Sequence, residues 1–562
     1  MKLHQLNYLF LILLSNLLQA EPQVQFVDIT ASTGINFKHL NGAKNDYQLP
    51  ETLGAGGAFF DYDNDGYLDL YLINSGDLNN QEISTNSDQP SNTSVLYRNN
   101  GDGTFKDVTV SAGISNSNNY GQGAAAADYD NDGDTDLYVT NFGHNKLYQN
   151  NGDGTFLEVS KDAGVTAPSW STSATFFDYD RDGYLDLYVV NYVVYSLTAS
   201  YRKCYDDDIR NYCHPKYFEG SPDQLYKNNG DGTFTNTTKA AEISDVGGPY
   251  QGKGLGVVAA DFNNDRHPDL YIANDDTPNY LFLNNGDGTF IEIGIFTGCA
   301  YSNDGIAQAG MGVDTGDYNE DGLLDIFVTN FSYETNALYQ NNGDGTFTDV
   351  SYRSRLGEES YLSLGFGTNF LDYNNDGYLD LFIANGHISP HIEQTIDVVT
   401  YAQPNQLFQN NKNGTFTDIS LESGPHFLEK AVSRGSILGD YDNDGDMDIV
   451  VTQLNGPIAF LRNENGNAKN WLRIRTVGTV SNRDGIGTRL TCKVGDNVVI
   501  REVRVGSSYL CSQDPRVLLG VSDHESIERI EVHWPSGITQ VFEDIAVNQQ
   551  LDIIEKGTPN LN

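Results

Sequence analysis

Asp440-Tyr441-Asp442-Asn443-Asp444-Gly445-Asp446-Met447-Asp448, running into Ile449-Val450-Val451, is the stretch whose reading decides the fold. Carboxylates at its first, third, fifth and ninth positions can converge on one hard cation, and the sixth-position glycine permits the sharp turn this requires. It reads as a calcium loop leading into a strand. The same nine-residue pattern begins again at Asp61, Asp128, Asp178, Asp261, Asp317 and Asp372, giving seven copies. Their spacing of roughly 50 to 80 residues is that of a repeat architecture.

The predicted calcium ligands are Asp61, Asp63, Asp65 and Asp69 in the first loop, Asp128, Asp130, Asp132 and Asp136 in the second, and Asp178, Asp180, Asp182 and Asp186 in the third. The fourth offers Asp261, Asn263, Asp265 and Asp269, the fifth Asp317, Asn319, Asp321 and Asp325, the sixth Asp372, Asn374, Asp376 and Asp380, and the seventh Asp440, Asp442, Asp444 and Asp448. Up to seven calcium ions are therefore expected. In the fourth loop Arg266 replaces the turn glycine and Pro268 holds the eighth position, so that site is read as weak or empty. The loops with asparagine at position three have one carboxylate fewer and a lower expected affinity. None is an EF-hand, since Leu72 stands where the first loop would need a bidentate glutamate. The ions are expected to lock turns rather than to sense calcium, because four carboxylates round one point repel and would open the turn without the cation.

Around each loop lie short apolar stretches punctuated by Gly and Asn, as in Gly121–Ala127, Leu137–Asn141, Lys146–Gln149 and Thr155-Phe156. They read as strands A, B, C and D of a four-stranded antiparallel unit, with the calcium loop joining A to B. An Asn-Asn-Gly-Asp-Gly turn joins C to D. That turn recurs before Phe105, Phe156, Phe234, Phe290 and Phe347, and in altered form before Phe416, which is one copy fewer than the calcium loops. Strand C of the last unit, Ala459–Arg462, has no D strand after it, whereas Phe26–Thr30 matches Phe105–Thr109. Residues 25–30 are thus predicted to pair with 458–463 and close a ring, an all-β seven-bladed β-propeller without exposed edges.

Antiparallel order places the calcium loops and C–D turns on one rim. The long B–C insertions, Ser75–Ser94, Tyr192–Asp223 and Gly386–Pro404, fall on the other, where a partner is expected to bind. His214, His387 and His391, with Asp206, Asp207, Asp208 and Glu219, are the candidates there for acid–base chemistry or a second metal; the plainer reading is of solvated loop residues. No nucleophile elbow, zinc motif or phosphate loop occurs, so no catalytic residues are assigned and no enzyme is predicted.

The 562 residues carry a net charge of -44, which argues against nucleic acid and anionic membranes as partners. With 38% hydrophobic residues, 34 Tyr and 27 Phe the chain is nevertheless built to fold. Lys2, the apolar run Tyr8–Leu14 and Ala20 read as a secretory signal over residues 1–20, with an uncleaved anchor as the alternative. No other stretch is apolar enough to span a bilayer, so the mature chain is placed outside the cell, or in the periplasm or on the surface of a bacterium. In that compartment Cys204 is expected to pair with Cys213 and Cys492 with Cys511, leaving Cys299 free and buried, unless all five are reduced. Sequons at Asn92, Asn236, Asn330 and Asn413 fit export.

The repeats resemble the FG-GAP repeats of integrin alpha-subunit propellers. Residues 470–553 resemble the ASPIC/UnbV domain, through Asn482–Gly487, Gly506–Leu510, Asp514-Pro515-Arg516 and Trp534–Gly537. The combination is similar to the cartilage acidic protein-like family. The resemblance implies a secreted calcium-binding protein with a signal at 1–20, a seven-bladed propeller at 21–465, a small β-rich domain at 466–556 and a tail at 557–562. It implies no catalytic residues. The expected function is extracellular interaction or adhesion with a protein or glycan; the alternatives are a secreted polysaccharide-acting enzyme and a self-associating matrix component. Arg473, Arg475, Arg483, Arg489, Arg501 and Arg504 of the last domain form either a basic patch for an anion or polysaccharide, or salt bridges to the propeller.

Overall fold

A computed structural model describes residues 25–78, 93–116, 119–199, 201–243 and 252–557; the expected signal at 1–20 and the sequon at Asn92 lie outside them. Among the described residues seven four-stranded antiparallel units follow one another. Their innermost strands are Gly57–Phe60, Tyr120–Ala127, Pro168–Phe177, Gly254–Ala260, Val313–Gly316, Gly365–Leu371 and Ser433–Gly439, which define blades 1 to 7. Strand A of each blade touches strand A of the next, and that of blade 7 touches that of blade 1, so the blades form a closed propeller. The strands B, such as Asp186–Asn191, are mostly apolar and buried along most or all of their length, because a blade in a ring is covered on both faces. Strands D have three residues in blades 1 to 6, with only the leading phenylalanine buried.

Ring closure follows the expected pairing. Gln25–Asp28 lies antiparallel to Ala459–Glu464, with Phe26 opposite Asn463, and supplies the fourth strand of blade 7. Phe26 is fully buried against Tyr373 and Phe427. Deletion of residues 21–30 is expected to cost at least about 4 kcal/mol, since removing a buried phenylalanine alone costs about 3–5 kcal/mol. An unchanged urea midpoint for the truncated chain would count against closure by this strand.

A second device closes the ring seven times over. The asparagine ending strand C of each blade donates its side-chain amide to the main-chain oxygen of the second loop residue in the preceding blade. The bonds are Asn99 to Tyr441, Asn150 to Tyr62, Asn228 to Tyr129, Asn284 to Tyr179, Asn341 to Phe262, Asn410 to Tyr318 and Asn463 to Tyr373, all 2.8–2.9 Å.

The C-terminal domain packs Val517–Ser522, Asn470–Val477 and Gln549–Ile554 against Asn497–Glu502, Arg489–Val494, Ser526–His533 and Thr539–Ala546. It is seated as a cap on the rim formed by the acidic A–B loops. Arg473 reaches Asp440 and Arg504 reaches Asp314, both at 2.8 Å, while Arg489 and Arg501 donate to the Gly322 and Gly377 carbonyls. Of the two readings of the arginine-rich stretch, Arg473 and Arg504 take the salt-bridge one, whereas Arg489 and Arg501 bond the propeller's main chain without an ion pair. A cap–propeller contact explains the glycine at Gly445: a Cβ there would lie 1.8 Å from the Trp471 ring.

From the cap a hairpin, Gly506-Ser507 paired with Cys511-Ser512, enters the axis of the propeller. Ser508 exchanges main-chain bonds with Val313 of blade 5, the Leu510 oxygen accepts from Ala124 of blade 2, and Ser512 pairs with Ala58 of blade 1. The Ser508 hydroxyl meets Thr368 and Ser436 of blades 6 and 7, and Leu510 donates to the Ser173 hydroxyl of blade 3. Small residues in and beside strands A make room for this plug: a Cβ on Gly435 of blade 7 would come within 2.4 Å of the Cys511 sulfur, and one on Gly56, just before strand A of blade 1, within 1.9 Å of the Leu510 oxygen.

The plug also corrects one disulfide. Cys204 and Cys213 are bonded, and Cys299 is free and buried as expected, but Cys492 and Cys511 are both free. Cys492 lies in the cap's own core, whereas Cys511 is carried on the plug into the propeller. Burial pushes both thiols up to about 12. The sequon at Asn330 is likewise buried, with its amide bonded to the Thr335 oxygen. No helix among the described residues is long and apolar enough to cross a membrane.

Candidate metal centres and the insertion-face cavity

Each loop is wound by its own carboxylates. The first-position aspartate accepts the amide of position five through one oxygen at 2.9–3.1 Å. Its other oxygen accepts the amide of position six at 2.7–3.0 Å. The fifth-position aspartate accepts the amide of position seven. The ninth-position aspartate, buried in every copy, binds the amide of the strand-C asparagine at 2.7–2.9 Å. It thereby clips loop to strand C in the same blade, a role its place in the motif did not reveal.

In loops 1, 2, 3 and 7 the acids of positions one, three and nine bring oxygen atoms within 4.8 Å of one another: Asp61, Asp63 and Asp69; Asp128, Asp130 and Asp136; Asp178, Asp180 and Asp186; Asp440, Asp442 and Asp448. The fifth-position aspartates Asp65, Asp132, Asp182 and Asp444 stand outside these clusters. In loops 4, 5 and 6 the side-chain oxygens of Asn263, Asn319 and Asn374 accept the fifth-position amide instead. Asp63, Asp180 and Asp442 each hold one buried carboxylate oxygen with no hydrogen-bond partner. Orphaned hard donors directed at a carboxylate cluster fit a calcium ion. Burial first, and neighbouring carboxylates second, raise Asp128 to about 8 and Asp178 to about 7, as expected where acids are gathered without a counter-charge. Side chains from strand C lean over three of these loops: Arg98 on Asp63 at 2.6 Å, Gln149 on Asp130 at 2.6 Å and Lys227 on Asp180.

On the opposite rim, where most of the insertion at 75–94 lies outside the described residues, the insertions at 192–223 and 386–404 border a cavity of about 690 Å³. Its apolar floor, Leu49, Leu53, Leu255, Met311 and Phe366, packs on Tyr509 and Leu510 at the tip of the plug. Its walls carry Tyr192, Tyr205, Tyr212, Tyr217, Phe331 and Tyr333. His214 and His387 both line it, as do Asp206 and Asp207, whereas His391 stands aside beside Tyr47 and Gln394. His387 is buried, its Nδ1 accepts the Ser389 amide, and burial lowers it to about 4, so it is neutral at pH 7.

Three carboxyl groups in the walls, Asp275, Asp276 and Glu334, come from the short B–C turns of blades 4 and 5, where no long insertion drew attention to them. Asp275 accepts the Tyr192 hydroxyl at 2.5 Å and is raised to about 7 by burial. Asp276 faces His214 Nδ1 at 3.6 Å. Aromatic faces beside hydrogen-bonding carboxyls can hold a polar ligand with an apolar side.

Among known families, the one described as FG-GAP-like repeat matches residues 61–139, 128–189, 217–272, 261–328, 317–383 and 394–451, well over half of the chain, and ASPIC and UnbV matches 478–560. Cartilage acidic protein 1 of Xenopus tropicalis is 28% identical over 312 residues, covering 53% of this chain and 45% of the relative. The Homo sapiens protein of that name is 26% identical over 312 residues, covering 54% and 44%. This chain thus spans about half the length of the relatives it matches. A solved Agrocybe aegerita lectin structure, described as recognising non-reducing terminal N-acetylglucosamine, is 16% identical with a TM-score of 0.39, covering 72% of this chain and 87% of that one.

Proposed function

The chain belongs to the FG-GAP-like repeat family, and on that premise we propose that it is an exported, calcium-stabilised propeller which captures a glycan or protein in its insertion-face cavity without turning it over. The observation that carries this reading is the aromatic and carboxyl-lined cavity of about 690 Å³ on the rim the cap leaves free. Calcium binds in the loops of the covered rim and keeps the blades wound, so its effect on the ligand is indirect. The polysaccharide-acting enzyme is the competing reading, and Asp275, Asp276 and His214 are where its acid and base would be sought.

The test is retention of the mature protein on immobilised extracellular polysaccharides and matrix proteins, in calcium and then in chelator, with the eluate assayed for cleavage products. Retention without products is expected, falling at least tenfold in Asp276→Asn and Tyr333→Ala. Products would put the enzyme reading first. Retention that both substitutions leave intact would remove the cavity from the argument.

A further inference from the structure

Five of the six loops that keep the sixth-position glycine touch the cap through it. A Cβ built on Gly133, Gly183, Gly322, Gly377 or Gly445 would meet cap atoms at 3.9, 2.6, 3.4, 3.5 and 1.8 Å respectively. In the fourth loop that residue is Arg266, and beside it cap and propeller stand apart around a gap of about 290 Å³. Arg266 has φ of +74°, a conformation that costs a side-chain-bearing residue about 1 kcal/mol or more. A strained arginine in place of the turn glycine, at the edge of a cavity, calls for a reason other than winding the loop.

The gap is walled by Arg181 and Arg266 of the propeller and by Arg489, Arg504 and His533 of the cap, with Trp534 and Pro535 alongside. Arg504 is paired with Asp314. Arg181, Arg266 and Arg489 have no ion-pair partner among the described residues: Arg181 donates to the Pro535 oxygen at 2.6 Å and Arg489 to the Gly322 oxygen at 2.7 Å. Such bonds aim a guanidinium without neutralising it. Nη1 of Arg489 is buried and has no hydrogen-bond partner among the described residues.

Three carboxyl groups share the walls. Asp178 and Asp261 are turned into their own loops, where they accept the amides of Asp182, Gly183, Asp265 and Arg266, and Glu502 faces the Asp261 amide. A calcium ion in the third loop would draw off the charge of Asp178 as well. Glu502 lies near enough to Arg504 and Arg489 to offset part of their charge. The guanidiniums of Arg181, Arg266 and Arg489 nevertheless line the gap without an ion pair among the described residues, and such donors recognise planar or tetrahedral oxyanions.

We propose that this gap between cap and propeller is an anion site, taking a carboxylate or sulfate carried on a body the size of one sugar ring, and that the fourth loop has exchanged its turn glycine for the arginine that helps to bind it. The site is separate from the insertion-face cavity and stands or falls independently of it.

The full mature chain in saturating calcium is titrated with sodium glucuronate, sodium sulfate and glucose at matched ionic strength, following heat and the fluorescence of Trp534 against the other two tryptophans. Saturable binding of one or both anions, and none of glucose, is the expected result. Sulfate alone would identify the tetrahedral oxyanion as the recognised group, and glucuronate alone the carboxylate on its ring. Arg489→Gln and Arg266→Gly should each weaken binding at least tenfold. Arg266→Gly restores the glycine of the other loops, so its melting temperature should be equal to or above that of the parent, which separates lost binding from lost folding. No saturable response to either anion, equal binding of glucose, or unchanged affinity in both variants would overturn the assignment.

Discussion

Chelation of calcium is expected to lower the melting temperature of the full chain by at least about 15 °C at pH 8. A site at free calcium about 1,000 times its Kd stabilises the folded state by about 4 kcal/mol, so four occupied clusters would supply about 16 kcal/mol. At about 1 °C per kcal/mol, a low figure for a chain this long, that is the stated shift. The pH dependence has a definite sign. Burial holds Asp69 near 9, Asp128 near 8 and Asp178 and Asp440 near 7 in the metal-free fold, all above the ordinary carboxylate value of 3.8. Raised groups take up protons on folding, so the stability they contribute is complete below pH 4 and is lost as pH climbs through 7 to 9. In chelator, therefore, the melting temperature should fall steadily from pH 5 to pH 9. In calcium the fall should vanish, because the ion binds the ionised form, and calcium binding at pH 7 should release protons. Scanning calorimetry at three pH values, with and without chelator, checks both statements. A melting temperature indifferent to chelator at pH 8 would remove the ions from the account of stability.

The second large effect is expected at Arg434, the largest fully buried side chain among the described residues. No carboxylate among those residues is bonded to it. All five of its N–H groups are used on main-chain oxygens instead: Nε and Nη2 on Thr52, Nη1 on Gly386 and Ser433, and Nη2 again on His387. Its plane lies 4.0 Å from the centre of the Phe366 ring, which in turn packs edge-on against Tyr509 of the plug. Arg434→Met leaves four buried carbonyls without donors and is expected to cost about 3–5 kcal/mol. Arg434→Lys should recover little of this, since one ammonium cannot span the planar fork of acceptors. Urea unfolding of both variants is the measurement, and a methionine variant as stable as the parent would show that the carbonyls find water.

The sequence was most legible where the signal is local and repeated. The nine-residue loops, the glycine-rich turns and the match of Phe26–Thr30 to the later D strands specify blade order and closure by themselves, because each rests on residues adjacent in the chain. What escaped depends on distant residues. The run Gly121–Ala127 marks a crowded axis, but nothing in it says that Ser508 to Ser512, nearly 400 positions later, does the crowding. Cys492 and Cys511 invited pairing by proximity in sequence, and the plug separates them. Asp275, Asp276 and Glu334 lie in short turns of two blades and meet only because the ring brings those turns together. In the fourth loop Arg266 marks a weak or empty calcium site by its sequence alone; its position at the edge of an inter-domain gap needs the cap in place.

The plug imposes an order in time on assembly. Its hairpin bonds to strands of blades 1, 2, 3, 5, 6 and 7, so its complete seat does not exist until those blades have gathered into a ring. The strand that completes blade 7 is the first described segment of the chain, and its partner, Ala459–Glu464, is among the last propeller residues to be made. A growing chain must therefore carry an unsealed seam through most of its synthesis, and seating of the hairpin is the last step rather than the nucleus. Refolding should show an early phase in which blade signals recover and a later one in which Tyr509 becomes buried, and a chain halted before residue 506 would accumulate as a ring with an open axle.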